Sequence, residues 1–385
     1  MGKITKQIDY VIYLLLLFYT LIDCISGLFA MYGLPGVSVP YKIFLIFLMM
    51  INIKSYNGMF FYSSSFSLIF CCLFHYFFYD YSDFSTSMAM ILRIIMAPFI
   101  FLYIKNTFKI KDKKLYKIAK SNLIIISINL FIGLLGFGNK TYSYSEEAFG
   151  VKGFIIDGNS LAVALFVLFV FFIMKFPKYK IRISLLFLVL GILVCTKTSI
   201  LAIILFAFYF FINKTSKKNK LFIFILLSFL TTVLIIFILN SDFFAFQIWR
   251  IKNLMKLFDG NILSVILSGR DKKLLQHFAF FNQEFSIQNL LFGYGFLNSI
   301  DIIELDLFDT FFSYGFIFFI IVFSFYLYCF YINRKNKCIV FFNFLYFSIC
   351  LTSGHIWFNT ISALFFGIVN FYFLEKKSEQ NLLHN

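Results

Sequence analysis

"FIIDGNSLAVALFVLFVFFIM" occupies positions 154–174, and its only charged side chain is Asp157. The run has no period-two alternation and no polar face, so it reads as one helix surrounded by apolar material. About 20 such residues cross the hydrocarbon core of a bilayer. A membrane β-barrel would instead alternate apolar and polar positions. The same reading applies at about 10–31, 36–53, 59–79, 84–104, 118–138, 181–196, 198–213, 221–240, 307–330, 338–353 and 356–374, giving about twelve predicted spans. Composition agrees: 61% of the 385 residues are hydrophobic and 14% are charged, against roughly 25% charged in a soluble domain. The chain reads as an all-α polytopic membrane protein, a single integral membrane domain over 1–385.

The net charge of +16 does not mark a nucleic-acid binder. The charges fall in short clusters between apolar runs and build no continuous basic face. No cleavage site follows the first run, which is therefore read as a retained helix. The seven cysteines include no CxxC pair and lie almost wholly within apolar runs, as small core residues do. Abundant Phe, Ile, Lys and Asn suggest an AT-rich bacterial genome.

Lysine and arginine set the orientation. With the N-terminus inside, the inner segments hold 23 of the 34 basic residues, including seven lysines from Lys105 to Lys120. Both termini are then cytoplasmic. One extracytoplasmic segment, 241–306 between the ninth and tenth spans, is far longer than the others.

That loop carries most of the candidate chemistry. Its first part, "FQIWRIKNLMKLF" (246–258), puts Ile248, Ile251, Leu254, Met255 and Phe258 on one helical face, with Arg250, Lys252 and Lys256 elsewhere and Trp249 as an interfacial anchor. This predicts a helix lying on the outer leaflet. In "SVILSGRDKKLL" (264–275), Ser268 and Asp271 have the S-x-x-D spacing of a capping box, which predicts a helix starting after Ser268. Arg270 would sit in its first turn, where free backbone N–H groups and a guanidinium suit a phosphate or diphosphate. Arg270, Lys273, His277 and Glu284 would share one face, and for Lys273 and Glu284 a solvated surface is the plain alternative. After the glycine-punctuated "LLFGYGF" (290–296), the segment "DIIELDLFDTFFSYG" (301–315) places Asp306, Asp309 and Ser313 on one face at a helix start. Carboxylates there are favoured by the helix dipole alone. They could also act as a general base. Glu304 with Asp306 is a carboxylate pair without further ligands, too little for a metal.

Elsewhere, Asp157 and Asn159 lie in the outer part of the sixth span, where polar groups usually line a cavity. Lys197 ends the eighth span on the outer side. Arg93 lies within the fourth and needs a buried partner or an anionic ligand. His75 and His355 read as structural hydrogen-bonders or as site residues.

Four short stretches resemble the bacterial O-antigen polymerase and ligase superfamily, in particular its Wzy-type polysaccharide polymerases. "GFIIDGNSLA" (153–162) resembles a G-x-x-x-[DN]-P-N-x-x-A element, with Gly158 in place of proline. "TKTSILA" (196–202) resembles an S-[RK]-T element. "SGR" (268–270), followed by "LFGYGF" and an acidic helix start ending in "YG" (314–315), resembles the family's large external loop. The ligase branch has a histidine where this chain has Asp306 and Asp309, so the resemblance favours a polymerase.

The resemblance implies a glycosyltransferase of polysaccharide biosynthesis (lipopolysaccharide O-antigen, capsule or exopolysaccharide) in the bacterial inner (cytoplasmic) membrane. The implied partners are oligosaccharide repeat units on undecaprenyl diphosphate, membrane lipid and a chain-length regulator, with no nucleic acid. The growing chain would pass from its lipid carrier to a new lipid-linked unit at the outer face, without metal or cofactor. Arg270, Lys197, Arg250, Lys273 and Arg93 are the candidates to offset the diphosphate, with Asp157 and Asn159 beside the glycan. Asp306, Asp309, Glu304 and His277 are the candidate bases. The alternatives are a lipid-linked oligosaccharide flippase, against which the absence of a half-to-half repeat speaks, and an O-antigen ligase.

Overall fold

The computed structural model describes residues 3–52, 81–144, 147–214, 242–295, 302–352, 354 and 356–374. The helices are α1 (Lys3–Leu17), α2 (Tyr19–Met31), α3 (Ser38–Asn52), α4 (Tyr81–Thr107), α5 (Lys113–Leu134), α6 (Gly158–Lys175), α7 (Lys180–Val194), α8 (Lys197–Lys214), α9 (Asp242–Leu257), α10 (Ile262–Leu267), α11 (Arg270–Gln283), α12 (Ile287–Phe292), α13 (Asp306–Ile332), α14 (Lys337–Thr352) and α15 (Thr360–Tyr372). Ten of the twelve apolar runs fall on these helices. The runs at 59–79 and 221–240, and His75 and His355, lie outside the described residues.

Four helices are long and apolar enough to cross a membrane: Met88–Thr107 of α4, α5, α6 and α13. The bent pair α1–α2 makes a fifth. Several others, α3, α7, α8, α14 and α15, have 13 to 18 residues. Length therefore establishes four to five candidate spans among the described residues, fewer than the apolar runs alone predict.

One departure from an all-helical chain occurs between α5 and α6. There, β1 (Asn139–Tyr144) and β2 (Glu147–Gly153) pair as an antiparallel hairpin. "KTYSYSEEAFGVK" (140–152) is polar and contains no long apolar run, so a reading keyed to spans leaves it as a connection. Gly153, at φ +58°, turns the chain against Asn129 of α5. The Asn129 side chain accepts from Phe154 N (2.8 Å) and donates to Lys152 O (2.9 Å).

α6 is the centre of the bundle. Asp157 caps its start by accepting from Asn159 N (3.0 Å), and Pro177 follows its end. Every side chain from Ser160 to Ile173 is buried, as expected for a helix apolar on all sides. It packs against α7, α8 and α15, and α15 in turn packs against α4.

Two helix breaks are built into the bundle. α1 and α2 meet at 56° around Phe18. Across the break, Asn122 of α5 accepts from Thr20 N (2.9 Å) and Thr20 Oγ1 (2.8 Å) and donates to Leu16 O (2.9 Å). The amide thus replaces the lost Thr20-to-Leu16 backbone bond on both sides. We expect Asn122→Leu, which leaves both groups buried and unpaired, to cost about 1–3 kcal/mol. Thermal unfolding in detergent would register it, and an unchanged midpoint would remove Asn122 from this role. The second break is at Gly315 in α13, with φ +76° and ψ 179°. The freed carbonyls of Phe312 and Ser313 accept from Tyr294 N and Gly295 N, both at 3.0 Å. A Cβ at Gly315 would lie 2.3 Å from Leu291 O, so only glycine lets the "GYG" strand dock into the break. The uninterrupted part of α13 is correspondingly shorter than its full 27 residues.

The described residues of the bundle have two unlike ends. At one end the start of α6 beside the hairpin, the segments 242–295 and 302–305, and the turn 356–359 are tied together by Asn359 to Asp157, Arg270 to Thr352 O and Ile356 N to Asp306. The other end is basic and aromatic: Lys105 donates to Tyr328 Oη (2.7 Å), Lys175 hydrogen-bonds Tyr372 and lies over the Tyr116 ring, and Lys180 lies over Phe211. Asn333, Asn343 and Asn370 tie α13, α14 and α15 together there through amide hydrogen bonds of 2.9–3.0 Å. Such amide pairs hold apolar helices in register where apolar contact alone does not discriminate.

Candidate functional site

The loop folds on itself before it meets the bundle. In α9, Ile248, Ile251 and Met255 are exposed on the apolar face, and Leu254 and, just past the helix end, Phe258 are half-buried. The Arg250 side chain lies outside the described residues. The predicted helix start after Ser268 is correct, for α11 opens at Arg270, but the predicted cap is not. Ser268 ends α10 in the left-handed region (φ 56°) and Gly269 (φ 81°) precedes α11 with no side-chain cap. Asp271 instead hydrogen-bonds Ser264 Oγ, one turn back on α10. A tight reversal needed positive φ at two successive residues, and that left Ser268 unable to cap.

The predicted common face of α11 divides between several environments. Arg270 donates through Nε (3.2 Å) and Nη2 (2.8 Å) to Glu304 Oε2 and through Nη1 to Thr352 O (2.8 Å). Lys273 donates to Ile302 O (3.2 Å). His277 is buried, hydrogen-bonded to Tyr294 Oη and packed on the Phe312 ring. Glu284 is exposed at the helix end. Around His277, Tyr294, Ile303, Leu305 and Phe312 form a small core of their own.

The acidic helix start is occupied by backbone. Asp309 accepts from Ile303 N (3.0 Å) and Leu305 N (2.9 Å), closing the turn that leads into α13. Asp306, fully buried, accepts from Ile356 N (2.8 and 3.1 Å) and Trp357 N (3.1 Å). Glu304 adopts φ 67°, and Gly354 lies so close that a Cβ there would stand 2.0 Å from Glu304 O. Backbone N–H groups donated to a buried carboxylate offset part of its burial cost, and the carboxylate fixes the chain that supplies them. The turn between α14 and α15 is thus gripped from the loop side by Arg270, Glu304 and Asp306.

The other side of that turn faces a cavity of about 420 Å³. Its walls include Asp23 and Ser38 from α2 and α3, Lys42, Arg93, Asp157 and Asn359. Asp23 is 9% exposed. Its Oδ1 accepts from Ser38 Oγ (2.5 Å) and Lys42 Nζ (2.6 Å). Its Oδ2 is buried with no hydrogen-bond partner among the described residues. Arg93 is partly buried, and Nη1 to Met90 Sδ (3.5 Å) is its hydrogen bond among the described residues. Asp157 binds Asn159 N and Ser160 Oγ, with Asn359 Nδ2 at 3.4 Å. Just outside, Lys152 donates to Ile156 O (2.6 Å). Burial draws its ammonium below the ordinary lysine range, and Asp157 acts in the opposite sense. Two cations, one carboxylate with an unpartnered oxygen and several polar groups thus meet in one hollow. It can hold an anion, and it can take a proton from a hydroxyl.

Of the residues predicted from sequence, the structure brings Arg93 and Asp157 to this cavity. Asn159 caps into the helix beside it, and Lys197 starts α8 as an exposed residue outside the lining. Arg270, Lys273, His277, Glu304, Asp306 and Asp309 build the loop and the turn that backs the cavity. Sequence reading missed Asp23 and Lys42. The available signal was a carboxylate within the first apolar run. Among the described residues no three His, Cys, Asp or Glu side chains cluster as metal ligands. No family model, curated protein or solved structure matches the chain.

Proposed function

We propose that this protein is a polysaccharide polymerase of a bacterial cytoplasmic membrane. It transfers a growing glycan from undecaprenyl diphosphate onto a new lipid-linked repeat unit. In this reading the chain makes twelve spans with both termini in the cytoplasm, and the hairpin end faces outward. The lysine and tyrosine end then meets the cytoplasmic head groups, and the exposed apolar face of α9 lies on the outer leaflet.

The observation that carries the reading is the polar cavity at the hairpin end of an apolar bundle. Charged groups at that depth are costly and mark substrate sites. A lipid diphosphate supplies its own leaving group, so the protein must offset developing negative charge and accept a proton. Arg93 and Lys42 fit the first need, and the cavity's carboxylates fit the second. Arg270, first among the cations in the sequence motif, supports the site in this scheme by locking Glu304 and Thr352 at the end of α14.

The broken α1–α2 helix beside the cavity also suits a lipid-linked oligosaccharide flippase, since transporters place broken helices at their binding sites. Surface polysaccharide from a strain lacking the gene separates these readings. Glycan stopping at one repeat unit, with the ladder restored by complementation, is the expected result. Loss of every surface repeat unit would support the flippase or a ligase instead, and an unchanged ladder would exclude all three.

A further inference from the structure

We infer that Asp23 is the general base of this site, a role that rests on the polymerase reading above. The reaction needs a group that accepts the proton of the acceptor hydroxyl. The candidate bases of the loop are committed elsewhere, and Asp271, whose Oδ1 is likewise buried without a partner among the described residues, lies on α11 outside the cavity lining. Asp306 and Asp309 accept backbone amides, and Glu304 is fixed on Arg270. His277 is enclosed with Tyr294 in the loop's own core. Within the cavity, Asp157 uses Oδ1 on Asn159 N and Oδ2 on Ser160 Oγ and Asn359 Nδ2. Among the carboxylates that line the cavity, Asp23 differs from Asp157. Ser38 and Lys42 hold one oxygen, and the other has no partner among the described residues.

That asymmetry suits a positioned base: one oxygen is fixed for orientation, and the other, buried without a partner among the described residues, would gain a donor from the reacting hydroxyl. The hold is itself fixed by a close approach. Ser38 N donates to Ser26 Oγ (3.3 Å), and a Cβ on Gly36 would lie 2.7 Å from that same oxygen. The turn between α2 and α3 is therefore pressed onto α2, and it carries Ser38 to the carboxylate.

In the step, Asp23 Oδ2 takes the proton of the acceptor sugar hydroxyl as its oxygen bonds to the anomeric carbon of the donor. The bond from that carbon to the diphosphate oxygen breaks. Its electron pair leaves on undecaprenyl diphosphate, beside Arg93 and Lys42. The protonated Asp23 then returns its proton to solvent. Lys42, bonded to Asp23 and present in the same cavity, links the base to the leaving-group side.

The test uses the full-length chain as parent, Asp23→Asn, Asp23→Glu and Arg93→Met. Transfer is followed with the lipid-linked repeat unit isolated from the same strain, and anion binding with inorganic pyrophosphate. Asp23→Asn should lower kcat by about 10²–10⁴-fold. Its KM should stay within about twofold, because a base acts on the transition state more than on binding. Pyrophosphate should bind at least as tightly as to the parent, since a negative charge has left the cavity. Asp23→Glu should recover part of the rate. Asp23→Asn turning over within about threefold of the parent, while Arg93→Met is inactive, would overturn Asp23 as base and leave the polymerase reading standing. Parent-like rates in both variants would overturn the cavity as the site. If Asp23→Asn fails to reach the membrane, Ser38→Ala replaces it. Losing the orienting hydroxyl should lower kcat about tenfold at constant KM, and no change would count against the base.

Discussion

Arg93→Met should lower chain extension by about 30-fold or more, while the protein stays in the membrane at the parent level. The cavity presents Arg93 beside Lys42, whose charge is already met by Asp23 at 2.6 Å. No carboxylate lies within ion-pairing distance of Arg93 among the described residues. A cation held in that way gains most from a ligand's charge. Removing one partner of a desolvated, hydrogen-bonded charge pair costs about 2–5 kcal/mol. At 1.4 kcal/mol per factor of ten, that is some 30-fold to several thousand-fold. The free protein loses little, because the same substitution removes a charge from an apolar bundle. Arg93→Lys should retain part of the activity, since lysine keeps the charge but not the planar fork. The ladder and the membrane level of each variant check this, and a full ladder from Arg93→Met would remove Arg93 from the site.

The second large effect concerns stability. Asp306→Ala leaves Ile356 N and Trp357 N without their acceptor in a fully buried position. Each unsatisfied buried donor costs about 1–3 kcal/mol, so the pair costs on the order of 2–6 kcal/mol. The turn they belong to lines the cavity through Phe358 and Asn359, so lost stability and lost activity should appear together. Asp306→Asn should fall between, because its amide offers one acceptor where the carboxylate offered two. Thermal unfolding in detergent and the amount of protein in the membrane measure the effect. Asp306→Ala with a parent-like melting temperature but no polymer would reverse the assignment and make Asp306 a catalytic carboxylate.

The helical bundle was legible because burial in lipid demands continuous apolar runs, and ten of them fall on helices. The breaks were harder to read. Hydropathy averages over Phe18 and Gly315, whereas the breaks depend on Asn122 and on the "GYG" strand, both distant in sequence. The hairpin at 139–153 escaped for the opposite reason, since it is polar and short and its register is set by contacts with α5 and α7. At the site, the S-x-x-D spacing located the start of α11 but assigned the wrong cap, because local spacing carries no information about φ at Ser268. Arg93 and Asp157 stood out as charges inside apolar runs. Asp23 carried the same signal, but its meaning came only when α3 brought Ser38 and Lys42 onto it. Spacing placed Asp306 and Asp309 on one helix face, and it could not show that backbone N–H groups from two turns would claim their oxygens.

The most direct test of the polymerase reading is a transfer assay with purified full-length protein and the lipid-linked single repeat unit of its own strain. Products are resolved by length, and released undecaprenyl diphosphate is counted. The account predicts products of two or more repeats, with one undecaprenyl diphosphate released for each linkage formed. Protein that binds the lipid-linked unit but forms no linkage and releases no lipid diphosphate would contradict it.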